Sequence, residues 1–517
     1  EREVERVLRR IESLSDKVGG GGLRASLLAG WREAYELAID LAMSRHARQP
    51  QVGHERRAFL LSERARARRL IEGLAERSPG SDCESPPPGG GPSPLERTLT
   101  ALSRRVSWLG MTGAPESVRR QAATEFERLL AKREALEDRC WRQSLGKTLP
   151  EWRRQQRLDA AALDRLLEPG TVLVEFSLGK ERSFAWWIRR GAIETVRLPR
   201  RDQIEPIARR LRGLIGAGNP VMSRELIARD LATLGGTLLA PLRHQAQVRR
   251  LLIVPDGDLF LVPYSALPVH NGEALVERAE IAVLPSVASL LAIRRSTSRR
   301  PKPKLELGVL AGPPASRVWD PLPYALSEAD AIRRLVPRAR RIAATGAAAS
   351  RGIFFLWPFQ RVRLLHFATH AWFDGEHPSL SGLLLAEQNG RDELLQAYEI
   401  QRLRLAADLV VLSACETGHG GREVRGEGLV GLAQSFLVAG AGSTVASLWQ
   451  VHDQATEKMM VLFYTGLLRD GLSPAAALRR AELELRGIDR WRDPYFWAGF
   501  LLFGDPDSNK RFSSSDI

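Results

Sequence analysis

The stretches "LLHFATHAWFDG" at Leu364–Gly375 and "ADLVVLSACETGHGG" at Ala407–Gly421 decide the fold. Each is an apolar run of strand length that turns abruptly polar, which is typical of a strand buried on both faces of a parallel sheet. His370 stands near the end of the first run and Cys415 near the end of the second. Since ligands of such sheets lie beyond the carboxyl ends of the strands, we expect both residues at one functional edge.

The sequence around both stretches alternates between strands and helices. Before them, "TVLVEFSLG" and "RSFAWWIRRG" predict a hairpin, and "RRLLIVPDGDLFLVPYSAL" predicts a buried strand followed by a loop. This alternation predicts an α/β fold with a mostly parallel sheet flanked by helices. From Lys304 onward the predicted strands are "LELGVLAG", "VRLLHFATHA", "ADLVVLSACETG" and "STVASLWQV", and the predicted helices are "ALSEADAIRRLV", "GEGLVGLAQSFLVAG", "DQATEKMMVLFYTGLLRDG" and "SPAAALRRAELELRG".

The N-terminal region is predicted to be all helical. "WREAYELAIDLAMSRH" from Trp31 and "RAFLLSERARARRLIEGLAE" from Arg57 carry apolar residues at three-to-four spacing, and Gly19–Gly22 interrupts the helical pattern. The two helices repeat at a shorter offset than the roughly 34 residues of a tetratricopeptide repeat. The proline- and glycine-rich segment Pro79–Pro94 predicts a linker. Because residue 1 is Glu rather than Met and falls inside a helical pattern, we expect the chain to be an excerpt of a longer protein.

Length and cysteine content limit the class of protein. A chain of 517 residues, 44% of them hydrophobic, predicts two or three domains with buried cores. Cys83, Cys140 and Cys415 are too few and too far apart for a disulfide framework or a CxxC metal site, so we expect a reducing compartment. No apolar run reaches the roughly 18 residues of a membrane span, and no signal peptide is evident. A cytoplasmic protein without a membrane partner is the expectation.

The formal charge of +15 raises the alternative of a nucleic-acid partner. The segment Leu365–Ile517 nevertheless contains more acidic than basic residues, so the basic charge lies in the rest of the chain. That charge is mainly arginine on helical segments, without interleaved aromatic residues or a nucleic-acid motif. A solvated basic face is the favoured interpretation, and a nucleic-acid partner for the N-terminal half stays open.

Cysteine and histidine at neighbouring strand ends suggest nucleophilic chemistry. A thiol becomes a nucleophile only as the thiolate, and its usual pKa of about 8.5 leaves only a few per cent ionised at neutral pH. An imidazole can accept the thiol proton and later donate a proton to a leaving amine. His370 and Cys415 are therefore a candidate base and nucleophile.

Four ordered motifs resemble the CHAT domain, a bacterial caspase-like and separase-like cysteine peptidase module that is often attached to tetratricopeptide repeats. The motifs are "LLHFATHAWFDGEHPSLSGLLLA", "ADLVVLSACETGHGG", "GEGLVGLAQSFLVAGAGSTVASLWQVHDQAT" and "DPYFWAGFLLFGDP". The resemblance spans roughly Pro169 to Asp505. It implies a caspase-like, mostly parallel sheet flanked by helices, a preceding pseudo-caspase-like half without catalytic residues, and an all-helical, degenerate tetratricopeptide-like N-terminal region.

The expected domain boundaries combine the composition with this resemblance. The catalytic half should occupy residues 304–508 and the non-catalytic half residues 168–303, while residues 509–517 form a tail. The remaining predicted segments are a repeat-like helical region at 1–78, the linker at 79–94 and a second helical region at 95–167.

The resemblance also implies roles for single residues. His370 is the implied catalytic histidine and Cys415 the implied nucleophile, with the backbone N–H groups of Ala371 and Cys415 as the oxyanion hole. The family usually has glycine where this chain has Ala371, and the added methyl group restricts positive φ. In separases an aspartate in a similar W-x-V-x-D context lines the pocket for the substrate residue before the cut, which implies substrate binding by Asp453, with Glu427 as a second candidate.

Each candidate also has a structural interpretation. His366 and His370 could bind zinc if they lay on a helix, but on a strand they lie about 13 Å apart, and a packed core histidine is favoured for His366. Cys415 could be a buried apolar residue. Asp453 could cap the helix that follows it, and this alternative weighs as much as substrate binding.

The predicted function is a cysteine endopeptidase that cleaves a protein target and is regulated by a partner on its N-terminal helices. The alternative is a non-catalytic scaffold with a caspase-like fold. The family often occurs beside bacterial defence or cell-death effectors, which implies one protein target cleaved on cue. The sequence contains no phosphate loop, cofactor motif or structural metal motif, so no cofactor is predicted.

Overall fold

The computed structural model describes residues 3–8, 10, 21–66, 93–145, 158, 160–218, 220–245, 247–269, 271–298, 300, 303–315, 319, 321–355, 358–374, 377–388, 391–416, 427–450 and 452–510. The chain forms two compact units. The first is helical and contains Glu1–Leu158; the second is α/β and contains Asp159–Gly418 and Arg422–Ile517. In the described helices of both units, none combines the length and apolar character needed to cross a bilayer.

Four long helices build the helical unit, as predicted: α1 (Gly21–Arg48), α2 (His54–Arg66), α3 (Pro94–Met111) and α4 (Glu116–Leu145). Helix α1 packs against α2 and α4, and α3 packs against α4. Buried aromatic and aliphatic side chains, among them Phe59, Val106 and Phe126, form the core. Helix formation here follows from amphipathic faces that bury against one another.

Two predicted interruptions in the helical unit have different outcomes. Helix α1 already includes Gly21 and Gly22, so the glycine interruption expected at residues 19–22 is wrong for these two residues. Glycine costs up to about 1 kcal/mol in a helix interior but is tolerated in a first turn. Of the predicted linker, residues 79–92 lie outside the described part. Ser93 caps α3 by accepting a hydrogen bond from the Glu96 N–H at 3.2 Å.

Thirteen strands of the described residues form one mixed sheet. Their order is β10-β9-β8-β11-β12-β13-β5-β4-β1-β2-β3, with β6 beside β8 and β7 beside β6. The strands are β1 (Thr171–Ser177), β2 (Ser183–Arg189), β3 (Ala192–Leu198), β4 (Arg250–Val254), β5 (Glu280–Val283), β6 (Leu305–Ala311), β7 (Arg341–Thr345), β8 (Val362–Trp372), β9 (Gly382–Gln388), β10 (Arg391–Gln396), β11 (Leu409–Glu416), β12 (Ser443–Ser447) and β13 (Phe500–Gly504).

Helices connect and flank these strands, as the alternating pattern predicts. They are α5 (Ala160–Leu166), α6 (Arg201–Gly216), α7 (Pro220–Leu238), α8 (Leu275–Arg278), α9 (Val287–Ser298), α10 (Pro323–Arg334), α11 (Arg351–Phe355), α12 (Ala397–Ile400), α13 (Glu427–Val438), α14 (Asp453–Leu468), α15 (Pro474–Arg486) and α16 (Pro494–Trp497). The α/β fold, its flanked and mostly parallel sheet, and the helical N-terminal region are thereby confirmed.

The central strands are parallel, and the antiparallel pairs lie mainly toward the sheet ends. Strand β8 pairs in parallel with both β11 and β6, and β4 pairs in parallel with β1 and β5. Strand β13 joins the two groups, since it pairs antiparallel with β12 and parallel with β5. The segments predicted as separate halves therefore share one sheet.

A buried ion-pair network reinforces this junction. Arg250 on β4 donates hydrogen bonds to Asp507, just after β13, and to Glu280 on β5, the latter at 2.8 Å. The side chains of Arg250 and Asp507 are only 5% and 1% exposed. Burial alone would raise the pKa of Asp507, but the attraction and hydrogen bonds of Arg250, with a smaller effect of Lys510, hold it below its usual value.

Breaking this network should be costly. We expect Arg250→Met to lower the free energy of unfolding by about 3 kcal/mol, because the buried Asp507 and the partly buried Glu280 both lose the Arg250 guanidinium. Stability contributed by the lowered pKa of Asp507 is present at neutral pH and is lost as pH falls through that pKa, so the variant should lose this acid dependence. Urea titrations at several pH values measure both effects.

The matched control is Arg492→Met. Its ion pair with Asp489 leaves the two side chains 73% and 92% exposed. Water already solvates these charges, so the expected change is at most about 1 kcal/mol. Equal effects of the two substitutions would contradict the role given to Arg250.

Candidate active site

The carboxyl ends of β8 and β11 bring the predicted histidine and cysteine together. The two strands are parallel and in register from Leu364↔Leu409 to Ala371↔Glu416, and His370 is the register partner of Cys415. Neighbouring strands lie about 4.8 Å apart, and register partners lie on the same face of a sheet. The backbone of Cys415 is described but its side chain is not. His370 is only 2% exposed.

The ladder on the other edge of β11 ends earlier. Pairing of β11 with β12 runs from Leu409↔Ser443 to Leu412↔Ala446 and goes no further. After β12 the chain turns toward β13, where the Leu448 N–H donates to the Gly499 carbonyl at 2.7 Å. Residues 413–416 of β11 are therefore paired with β8 but are no longer paired with β12.

A tryptophan covers the candidate base. The rings of Trp319 and His370 are 5.2 Å apart between centroids and inclined at 30°. Trp319 is 3% exposed and comes from the connection between β6 and α10. The indole restricts the orientation of the imidazole and excludes water from one of its faces.

Ala371 continues the strand without positive φ. It is the register partner of Glu416 on β11 and of Leu383 on β9. Among the described residues, the one non-glycine residue with positive φ is Asn271. The methyl group of Ala371 thus imposes no backbone strain in this conformation, although glycine is usual there in the family.

His366 lies on the same strand, four residues before His370, and is completely buried. Its Nδ1 is 3.2 Å from the Tyr464 hydroxyl, and its Nε2 is 3.0 Å from Oε1 of Glu328, in an orientation poorly aligned for a hydrogen bond. These contacts agree with the predicted packed core histidine. Within the described part of the chain, no group of three or more His, Cys, Asp and Glu residues is arranged to hold a metal ion.

Asp453 is the first residue of α14, and its predecessor His452 occupies the N-cap position. Tyr464, on the same helix, contacts His366. The helix rises about 16 Å from Asp453 to Tyr464, and His366 and His370 lie about 13 Å apart on their strand. Asp453 is close enough to His370 for the two charges to interact.

The environment of Asp453 disfavours its charged form. Burial has the largest effect and raises the pKa of Asp453, and the nearby Glu328 raises it further. The charges of His452 and His370 act in the opposite direction without cancelling the shift. A half-buried carboxylate in this condition would gain from a cationic ligand.

Glu427 begins helix α13, and the structure describes its backbone but not its side chain. The next residue, Gly428, packs tightly: a Cβ there would lie 2.9 Å from the Cβ of Phe373 and 3.3 Å from the Ser381 hydroxyl. The start of α13 is thus fixed against the segment that follows β8. The glycines that follow Cys415 in the sequence, at 418, 420 and 421, lie outside the described residues.

Sequence reasoning did not single out Trp319, Glu328 or Tyr464. A signal existed for Glu328, because it falls in the buried stripe of α10 with Ala325, Ala329 and Ile332. A carboxylate in an apolar stripe predicts a buried partner. Trp319 lies in an aperiodic connection, and the pairing of Tyr464 with His366 is a tertiary contact across 98 residues.

The fold and site define an α/β protein with a histidine and a cysteine on adjacent parallel strand ends, and comparison with known proteins identifies its family. The CHAT domain family model matches residues 228–505, more than half of the chain. The chain belongs to the CHAT domain family, as the sequence motifs predicted.

Two curated relatives match part of the chain. Tetratricopeptide repeat protein 28 of Homo sapiens and that of Mus musculus are each 27% identical over 319 residues, which covers 53% of this chain. The match spans only 13% of the length of either relative.

Comparison with solved structures gives matches at low TM-scores. The separase–securin complex of Saccharomyces cerevisiae has a TM-score of 0.46 at 10% identity, covering 78% of this chain and 36% of that chain. The Arg-specific cysteine proteinase gingipain R has a TM-score of 0.34 at 11% identity, covering 54% of this chain and 68% of that chain.

The contacts of His366 generate a stability prediction. We expect His366→Ala to lower the free energy of unfolding by about 3 kcal/mol, because it leaves a cavity and strands Glu328 without its partner. Tyr464→Phe removes only the hydroxyl contact and should cost about 1 kcal/mol. Urea unfolding measures both, and the alkylation rate of Cys415 in the folded variants should stay unchanged. Slower alkylation at an unchanged melting temperature would give His366 a role in chemistry instead.

Proposed function

We propose that this chain is a cysteine endopeptidase that cleaves a protein target with Cys415 as nucleophile and His370 as general base and acid. The observation that carries the proposal is the register pairing of these two residues at the ends of adjacent parallel strands. Membership of the CHAT domain family supports it. Short separation matters because the thiol proton must pass directly to the imidazole.

The proposed reaction has two steps. His370 accepts the proton of the Cys415 thiol, the thiolate attacks the scissile carbonyl carbon, and His370 then donates the proton to the leaving amine. In the second step, His370 takes a proton from a water molecule, and the resulting hydroxide attacks the thioester carbonyl. The C–S bond breaks, the new carboxylate leaves, and the proton returns from His370 to the Cys415 sulfur. Backbone N–H groups of Ala371 and Cys415 are the proposed donors to the oxyanion.

Substrate recognition is proposed to depend on Asp453. Burial raises the pKa of its carboxyl group, and the charge of His370 acts on it in the opposite direction. An arginine side chain would restore the charged form by offering two parallel hydrogen bonds from its guanidinium. Glu427, at the start of α13, is the second proposed contact to substrate.

Regulation is proposed to act through the helical unit. Helix α1 leaves Leu37 54% exposed and Leu41 42% exposed. Apolar side chains in water at spacing i, i+4 offer a face for a protein partner. The alternative of a scaffold without catalysis shares this surface but requires no reactive cysteine.

The dyad is tested with the cysteines of the chain as internal standards. At pH 6, iodoacetamide should alkylate Cys415 faster than Cys83 or Cys140, because the proposal gives Cys415 a neighbouring base in His370. His370→Ala should remove this advantage. Cys415→Ala and His370→Ala should each abolish cleavage of fluorogenic arginyl peptides, and the double variant should be no worse, since both residues act as one unit.

The matched controls are Cys83→Ala and Cys140→Ala, which should retain cleavage. Mass spectrometry of tryptic peptides gives the three alkylation rates in one sample. Equal rates for the three cysteines, with no cleavage by the unaltered chain, would rule out the peptidase and favour the scaffold, and full cleavage by Cys415→Ala would rule out Cys415 as the nucleophile.

Asp453→Asn tests recognition. We expect kcat/KM for arginyl peptides to fall at least about tenfold, equivalent to about 1.4 kcal/mol, because the amide offers the guanidinium no charge. Folding should not suffer: a carboxylate whose pKa is raised on folding costs stability at neutral pH, so the neutral amide should leave the melting temperature unchanged or higher. A lower melting temperature with unchanged preference for arginine would show that Asp453 supports the helix instead.

A further inference from the structure

Helix α6, which follows β3 in the chain, contacts the segment that comes after β12. Arg212 on α6 donates from Nε to the carbonyl of Leu448 at 2.7 Å. Strand pairing does not extend to Leu448 on the β11 side. The guanidinium therefore satisfies a carbonyl that the ladder has released, and it ties α6 to the segment Leu448–Trp449.

Trp449 is seated on two glycines. A Cβ on Gly216, the last residue of α6, would lie 2.9 Å from the Cβ of Trp449, and a Cβ on Gly499 would lie 3.1 Å from the indole Cε2. Trp449 is 4% exposed, and its Nε1 donates to the Tyr495 carbonyl at 3.0 Å. Real Cβ atoms essentially never approach another heavy atom to 2.9 Å, so Trp449 can keep this position only while residue 216 is glycine.

The anchored segment follows β12, which is the neighbour of β11, the strand that contains Cys415. Register pairs advance together along β11 and β12, from Val410↔Thr444 to Leu412↔Ala446. Continuing this register places Trp449 level with Cys415, after the two strands have separated. Four residues later, Asp453 begins α14. A shift of Trp449 would thus move the segment that leads from β12 toward Asp453.

We infer that α6, through Arg212 and Gly216, positions the Leu448–Trp449 segment to receive the substrate residue before the scissile bond. This inference rests on the proposed peptidase function. Arg212 and Gly216 are positioning residues, since they act on the substrate through Trp449. Recognition of the substrate would then depend on a helix from the part of the chain that lacks the dyad.

The dyad and the Leu448–Trp449 segment are held by different elements, so the two can be changed independently. Strand β8 holds β11 through the whole register up to Glu416, and α6 does not take part in that ladder. Trp449 instead contacts α6, Tyr495 and Gly499. A change at Gly216 should therefore weaken recognition while the intrinsic reactivity of Cys415 persists.

Helix α6 contains its own matched control. Gly213 is one turn before Gly216, and a Cβ there would meet no atom within 4 Å. Alanine is a better helix former than glycine by up to about 1 kcal/mol, so both substitutions gain helix propensity. Only Gly216→Ala drives a methyl group into Trp449.

The experiment compares two probes of the full chain. A peptidyl acyloxymethyl ketone with arginine next to its reactive carbon requires recognition by the Leu448–Trp449 segment, whereas iodoacetamide requires only the thiolate of Cys415. For Gly216→Ala we expect the second-order rate with the arginyl probe to fall about fivefold or more and the alkylation of Cys415 by iodoacetamide to stay within about twofold. Gly213→Ala should match the unaltered chain with both probes.

Arg212→Met provides the same test without an added methyl group in the interface. It removes one hydrogen bond to Leu448 and should give the same split in a smaller degree, even where Gly216→Ala fails to fold. Identical behaviour of Arg212→Met and Gly213→Ala with the arginyl probe would overturn the inference while leaving the proposed function intact. Loss of selective Cys415 alkylation in the unaltered chain would overturn the proposed function itself.

Discussion

The parallel pairing of β8 with β11 is the constraint on which the rest of the α/β unit depends. It fixes His370 opposite Cys415 without any contribution from loops, because register is set by backbone hydrogen bonds along eight residue pairs. A slip by one residue would move one partner to the opposite face of the sheet. The apolar residues of both runs oppose such a slip, since they must stay buried between flanking helices. Core packing and site geometry are thus the same requirement.

The candidate site lies where the pairing of β8 with β11 extends further than the pairing of these strands with β6 and β12. Strand β6 pairs with β8 up to Ala368, and β12 pairs with β11 up to Leu412. Beyond Leu412, β11 stays paired with β8, which at Ala371 also pairs with β9. The proposed chemistry therefore needs a rigid centre and released flanks, and the flanks must be held by other elements. Trp319, α14 and α6 provide these supports from distant parts of the sequence.

Much of the fold follows from patterns along the chain. The sequence predicted the apolar runs of β8 and β11, the hairpin of β1 and β2 and the alternating helices. Each of these segments is long enough for its hydrophobic pattern to distinguish a strand from a helix. Short strands were not predicted: "EIAV" of β5 and "RIAAT" of β7 are too brief to carry a period. Candidate residues at strand ends could be named from sequence. The supports could not, because the contact of Trp319 with His370 and that of Gly216 with Trp449 join segments far apart in the chain.

The most direct measurement is the pH dependence of Cys415 alkylation by iodoacetamide, followed by mass spectrometry from about pH 4 to 10. We expect the rate to rise with an inflection well below the usual thiol pKa of about 8.5, and His370→Ala to return the inflection to about that value. The same inflection near 8.5 in both proteins would contradict this expectation, because Cys415 would then have no base at the end of β8.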